Sequence, residues 1–144
     1  MALEKILIAY DGSNAADSAL DLAADIARDN AAIDVDIVNV VAIPLLSDEQ
    51  MASFATVLAM MEQDARRLLG DAAARLDERG VENRVETYTL RGTDAASEIA
   101  KLAEQGGYDM VVIGSRGLGG IKGYRGSVGH KLLGICTKPV LVAK

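Results

Sequence analysis

Five short runs rich in β-branched residues alternate along the chain with four Ala-rich stretches of helical period, and this alternation limits the fold more than any other feature. The runs are residues 5–10 (KILIAY), 33–41 (IDVDIVNVV), 84–90 (RVETYTL), 108–113 (YDMVVI) and 139–143 (PVLVA). Each is short and apolar enough to be a strand. Between them, apolar residues recur at helical spacing. Ala16, Leu20, Ala23 and Ala27 line one face of residues 13–28. Met51, Phe54, Leu58, Met61, Ala65, Leu68 and Ala72 line a long second helix, with the methionines as core filler. A third helix is expected over 94–104 with Thr93 as its N-cap. A fourth opens near Ser127 and must stop before Pro139. Residues 42–50 are the segment expected to be the most mobile connection.

Strict β-α alternation requires right-handed crossovers, hence an α/β fold: a doubly wound five-stranded parallel sheet with helices on both faces. KILIAY and MVVI are continuous apolar runs, as central parallel strands are. RVETYTL alternates polar and apolar residues and belongs at an edge. In the order 3-2-1-4-5 the first and fourth strands are neighbours, and ligands bind outside the strand carboxyl ends where the winding reverses. The first strand ends at Asp11 and the fourth at Gly114.

At 144 residues the chain suits one domain over 1–144. The core lacks large aromatics, with one Phe, four Tyr and no Trp, which argues against platforms for stacking nucleic-acid bases. The single cysteine, Cys136, excludes an intrachain disulfide and fits a reducing compartment; it is expected to pack near the end of the last helix. The apolar run near the N-terminus is too short for a secretion signal, and no apolar stretch approaches the ~20 residues that span a bilayer. A cytoplasmic protein without membrane insertion is expected. Net charge is −6, yet residues 110–144 hold six Lys/Arg and no acid, leaving nine Lys/Arg against twenty-one Asp/Glu before them. The acidic part disfavours nucleic acid; the basic quarter suits a small anion.

That quarter contains GSRGLGGIKGYRGS, residues 114–127, with six glycines and three cations, Arg116, Lys122 and Arg125. Glycines let a backbone close on a ligand, successive N–H groups form an anion nest, and a helix start adds further donors. Gly114 and Gly117 leave the fourth strand; Gly126 and Ser127 open the last helix. The pattern is neither GxxxxGK[ST] nor a GxGxxG fingerprint after a first strand. Ser127 is equally suited to cap its helix, and Asp11 to brace the strand-to-helix turn. His130 has no triad or metal partner in view and reads as structural or solvated.

KILIAYDGS, GSRGLGG, GSVGHKLL and the terminal KPVLVAK resemble, in order and over essentially the whole chain, the universal stress protein family. The resemblance implies the 3-2-1-4-5 sheet, an adenine nucleotide alpha hydrolase-like fold, and in one branch ATP binding through G-x2-G-x9-G-[S/T]. Carried over, Asp11 would face the ribose and Val40 would offer its backbone to the adenine. Gly114 and Gly117 would lie under the ribose and α-phosphate, Arg116 would be a further cofactor-binding residue, and Gly126, Ser127 and Val128 would hold the outer phosphates. Between Gly117 and Gly126 this chain has eight residues, LGGIKGYR, where the pattern has nine. The resemblance implies ATP with Mg2+ as the cofactor, AMP or ADP as alternatives, and a homodimer through the last strand, with Pro139 first and Ala143 last. It further implies a stress-response or regulatory role toward a protein partner. The alternatives are an interaction module of the same fold that does not bind ATP and, behind it, a slow ATPase or a protein autophosphorylating at Ser127. No catalytic residue or metal ligand of its own is assigned to the chain.

Overall fold

The computed structural model describes residues 2–115 and 127–144, the side chain of Ser127 excepted. The elements run β1 (Lys5–Ala9), α1 (Asn14–Ala27), β2 (Asp34–Ala42), α2 (Asp48–Glu78), β3 (Val85–Gly92), α3 (Ala95–Gln105), β4 (Met110–Gly114), α4 (Ser127–Ile135) and β5 (Val140–Ala143). The five strands form one sheet in the order β3-β2-β1-β4-β5, every pair parallel. The expected architecture is thus present, with RVETYTL on an edge.

Side chains alternate across the strands and divide the core into two faces. Ile6 and Ile8 of β1 and Val35 and Ile37 of β2 pack under α1 and α2. Leu7, Ala9, Val38, Val111 and Ile113 pack under α3 and α4. Alanine makes the first layer thin: Ala16, Ala19, Ala23, Ala24 and Ala27 of α1 are all buried, so α1 lies close to the sheet. Among the described residues no helix is long and apolar enough to cross a membrane.

Two helix starts differ from the sequence reading. The connection after β2 ends earlier than residue 50, because Ser47 and Gln50 form a capping box: Gln50 N–H donates to Ser47 Oγ at 3.2 Å and Ser47 N–H to Gln50 Oε1 at 2.9 Å. The S-x-x-Q spacing carried this signal. In α3 the N-cap is Asp94, not Thr93. Asp94 has the extended backbone of a cap (φ −140°, ψ 109°) but makes no capping hydrogen bond. Its carboxylate accepts instead from Ser97 Oγ and from Lys131 Nζ of α4, tying the two helices of that face together.

Polar contacts inside the fold are paired. Asp36 and Tyr108 are buried, and the Tyr108 hydroxyl donates to Asp36 Oδ2 at 2.6 Å. Burial first, then this bond, pushes the Tyr108 phenol well above its usual range. The Asn83 amide donates to the carbonyls of Ala27, Asn30 and Ile33, pinning the turn after α1. Across the α1–α2 contact, Arg75 makes two hydrogen bonds to Asp21, 2.8 and 3.0 Å, and Arg79 approaches the same carboxylate at 3.1 Å.

The Arg75 hydrogen bond holds the Asp21 carboxyl below the usual carboxylate range. A carboxyl depressed in the folded state adds stability above its unfolded pKa of about 3.9, and this stability is lost as pH falls through the lower folded value. Arg75→Met should therefore cost about 1 kcal/mol at neutral pH. Urea denaturation of both proteins should show the gap closing as pH is lowered through the acid range. A gap that does not change with pH would show that Arg75 acts by packing alone.

Candidate functional site

The chain after β1 turns into α1 on one face of the sheet, whereas α4 packs on the opposite face. β1 and β4 are adjacent, with Ala9 paired to Ile113. Their carboxyl ends therefore flank the reversal of winding, where doubly wound sheets form a crevice.

On the β1 side, Asp11-Gly12-Ser13 is a tight turn in which each residue has a local task. Ser13 N–H donates to Asp11 Oδ1 at 2.9 Å. Ser13 Oγ accepts from Ala16 N–H at 3.1 Å and caps α1. Gly12 has φ +83°, and a Cβ there would lie 2.9 Å from Leu68 Cδ2 of α2. Only glycine meets both conditions without strain. The brace expected of Asp11 is thus present, and its half-buried side chain follows the carboxyl end of β1.

β2 runs on past the end of β1. The last β1–β2 pair is Ala9 with Val38, and Tyr10 N–H donates to Val38 O at 2.9 Å. Backbone polar groups turn to alternate sides along a strand. The N–H and C=O of Val40 therefore point the same way as those of Val38, across the space beyond β1, while Asn39 and Val41 turn to β3. The Asn39 amide donates to Tyr10 O at 2.8 Å and fixes the end of β1 against β2. Asn39 was not singled out from sequence, although a lone amide inside VNV was the available signal. Tyr10 is held from its other end, its hydroxyl donating to Asp17 Oδ1 at 2.7 Å. Burial and that bond raise its phenol far above the usual range.

On the β4 side, Gly114 is set by packing within the protein. A Cβ at Gly114 would lie 2.5 Å from the Ala15 carbonyl carbon and 2.7 Å from both Ala15 O and Ala16 N. The start of α1 lies directly on the Gly114 backbone. Ser115 N–H donates to Ala143 O at 2.7 Å and carries the β4–β5 ladder one step further. Behind this point the first turn of α4 rests on the same residue, since a Cβ on the buried Gly129 would stand 3.5 Å from Gly114 O. Val128 is half-buried against the α3–α4 face, so its backbone is what it can offer a ligand. His130 is exposed and Cys136 is half-buried on that face.

Asp11, Val40 and Gly114 thus stand at the carboxyl ends of three adjacent strands, with Val128 in the first turn of α4. Arg116, Gly117 and Gly126 lie outside the described residues, as does the side chain of Ser127, the first residue of α4. Among the described residues no group of three or more His, Cys, Asp or Glu is placed to hold a metal ion.

A family model described as the universal stress protein family matches residues 2–144. The chain belongs to the universal stress protein family. The universal stress protein YxiE of Bacillus subtilis (strain 168) is 30% identical over 149 residues, which span 97% of this chain and 98% of that one. Among solved structures, the universal stress protein UspA from Lactobacillus plantarum superposes with a TM-score of 0.88 at 20% identity, covering 100% of both chains. The universal stress protein from Archaeoglobus fulgidus in complex with dAMP gives 0.68 at 21% identity, covering 99% of this chain and 98% of that one. An Arabidopsis thaliana family protein with AMP bound gives 0.70 at 18%, covering 97% and 90%. At these identities the solved structures establish the shared fold.

The contact of Gly114 with α1 yields a stability prediction. In Gly114→Ala the new methyl group meets backbone, not a flexible side chain, so α1 or β4 must shift, at a cost of about 1–3 kcal/mol. Thermal unfolding should show a melting temperature lowered by several degrees. A melting temperature equal to that of the parent protein would remove the packing explanation for this glycine.

Proposed function

We propose that this universal stress protein binds an adenine nucleotide in the crevice between the ends of β1 and β4. ATP with its Mg2+ is the first choice, with AMP and ADP as alternatives. The observation that carries the reading is the overshoot of β2. It presents the N–H and C=O of Val40 to a space flanked by Asp11 and Gly114, which suits the donor and acceptor edge of an adenine. The Asp11 carboxylate would accept from a ribose hydroxyl. Backbone N–H groups of Ser127 and Val128, at the positive end of α4, would receive phosphate oxygens. Gly114, Arg116, Gly117 and Gly126 would complete the cradle within the basic quarter of the chain. The relatives solved with AMP and dAMP support an adenine nucleotide as the ligand class.

In this reading the nucleotide biases the conformation of the last quarter and thereby tunes a protein partner in a stress response in the cytoplasm. Homodimerisation is proposed through β5, residues 139–143 of the sequence reading. β5 is an edge strand carrying Val140, Leu141 and Val142, and an apolar edge favours pairing with a second chain. Slow ATP hydrolysis or autophosphorylation at Ser127 ranks last. One observation favours the second reading, an interaction module without nucleotide: Gly114 and Asp11 both have structural reasons to be present.

Three measurements test the proposal. Freshly purified protein, denatured and cleared, should release ATP, ADP or AMP in stoichiometric amount, or the protein should bind Mg-ATP or AMP by calorimetry, and Gly117→Val should abolish that binding. Absence of both release and binding at millimolar nucleotide would overturn the nucleotide reading, and unchanged affinity in Gly117→Val would misplace the site. Sedimentation equilibrium should return twice the 15.1 kDa chain mass; a monomer at micromolar concentration would refute the β5 dimer.

A further inference from the structure

We infer that the amino-terminal half of α2 is a docking face for a basic, amphipathic helical segment of a protein partner. The inference rests on the regulatory reading only in supposing a protein partner, and it needs no bound nucleotide.

α2 has 31 residues, about 46 Å at ~1.5 Å per residue. β2, the strand it follows, has nine residues, roughly 30 Å. The carboxyl-terminal half of α2 is seated on the main core through Leu69, Ala72 and Leu76. Among the described residues the amino-terminal half makes a small separate cluster, in which Leu58 and Ala65 meet Val41 and Phe54 and Met61 lie partly buried beside them.

Apolar side chains do not stop at that cluster. Phe54, Val57, Met60 and Met61 fall within roughly a third of the helix circumference at ~100° per residue. Val57 is 48% exposed and Met60 62%, and Leu45, just before the helix, is 89% exposed. Leu46, Glu49, Gln50, Ser53 and Phe54 line a shallow groove of about 400 Å³ beside them. An apolar strip continued by a groove on one helix is the form that receives another helix. The unbranched methionines let such a surface adapt to its ligand.

Charge selects the occupant. Residues 42–64 contain Asp48, Glu49, Glu62 and Asp64 and no Lys or Arg. Glu62 is taken by two hydrogen bonds from Arg91, and Asp64 by Arg67. Asp48 and Glu49 occupy the first turn, Glu49 on the groove wall. A partner with one apolar face and flanking Lys or Arg fits this arrangement, whereas an anionic lipid surface is repelled by it.

The probe is a fluorescein-labelled Leu–Lys peptide long enough for about five helical turns, compared with a scrambled isomer of the same composition that is not amphipathic. Fluorescence anisotropy on the full chain should show the amphipathic isomer binding at least about tenfold tighter than the scramble. Met60→Glu and Glu49→Lys should each weaken it by about tenfold or more. Circular dichroism and nucleotide calorimetry on the same variants should match the parent, which separates this proposal from the fate of the nucleotide reading. Equal binding of the two isomers, or unchanged affinity in both variants, overturns it. A parent assembly whose mass in sedimentation falls on Met60→Glu overturns it too, by showing that a second copy of the chain covers the face.

Discussion

The contact between the Gly114 backbone and the first turn of α1 governs the architecture at the end of the sheet. α1 follows β1, yet it leans across onto β4, and it can do so only because residue 114 has no side chain. The consequence spreads in two directions. Gly114 also supports Gly129, so α1 and α4 meet the same residue from opposite faces of the sheet. The approach of α1 also brings the turn before it under α2, where Gly12 lies against Leu68. Two glycines thus set the distance between helices and strand ends where the winding of the sheet reverses. A glycine whose neighbours are backbone atoms is a stiffer constraint than one facing a flexible side chain, because interiors are packed too densely to yield.

Much of this was legible in the sequence, and particular residues show why. The alternation of strands and helices indicated a parallel doubly wound sheet, since parallel crossovers admit one hand, and the continuous apolar runs of β1 and β4 marked them as central; alternation alone does not choose the order 3-2-1-4-5 over others of its class. Asp11 and Gly114 were legible as strand ends because they follow from where the apolar runs stop, whereas Val40 came from the family resemblance. The contact partners were not. Nothing in GSRG indicates that Ala15 will lie 2.5 Å from a Cβ at Gly114, because that distance depends on how alanines seat α1 on the sheet. The carboxylate of Asp94 was equally unreadable as a partner of Lys131, which is 37 positions away in the chain. The start of α2 was readable from Ser47 and Gln50, but hydrophobic period does not mark it, because this helix begins before its apolar stripe does.

Electrostatics divide the molecule along the same line. The buried Tyr108–Asp36 pair and the Lys5 ammonium, 4.5 Å from the centre of the Tyr108 ring, lie near the strand amino ends. A buried carboxylate accepting a hydroxyl proton there is costly to disturb, and it stiffens the end of the sheet remote from the crevice. At the carboxyl ends the polar groups are instead backbone amides, short turns and half-buried side chains. One end of the parallel sheet is closed by a buried polar pair, while the other carries the strand carboxyl ends and a helix start, the end at which binding sites in this class of sheet lie.

The described residues on either side of the glycine-rich segment are placed by the rest of the fold. The first turn of α4 is placed by contacts of its own: Gly129 against Gly114, Leu132 buried on the α3–α4 face, and Lys131 on Asp94. These hold the helix start relative to β4 without reference to what joins them. A connection one residue shorter than the ATP-binding pattern therefore need not move the amides of Ser127 and Val128. A helix start fixed by its own packing and a strand end fixed by Gly114 therefore hold the two described ends of that connection, Ser115 and the first turn of α4, in place through the rest of the fold.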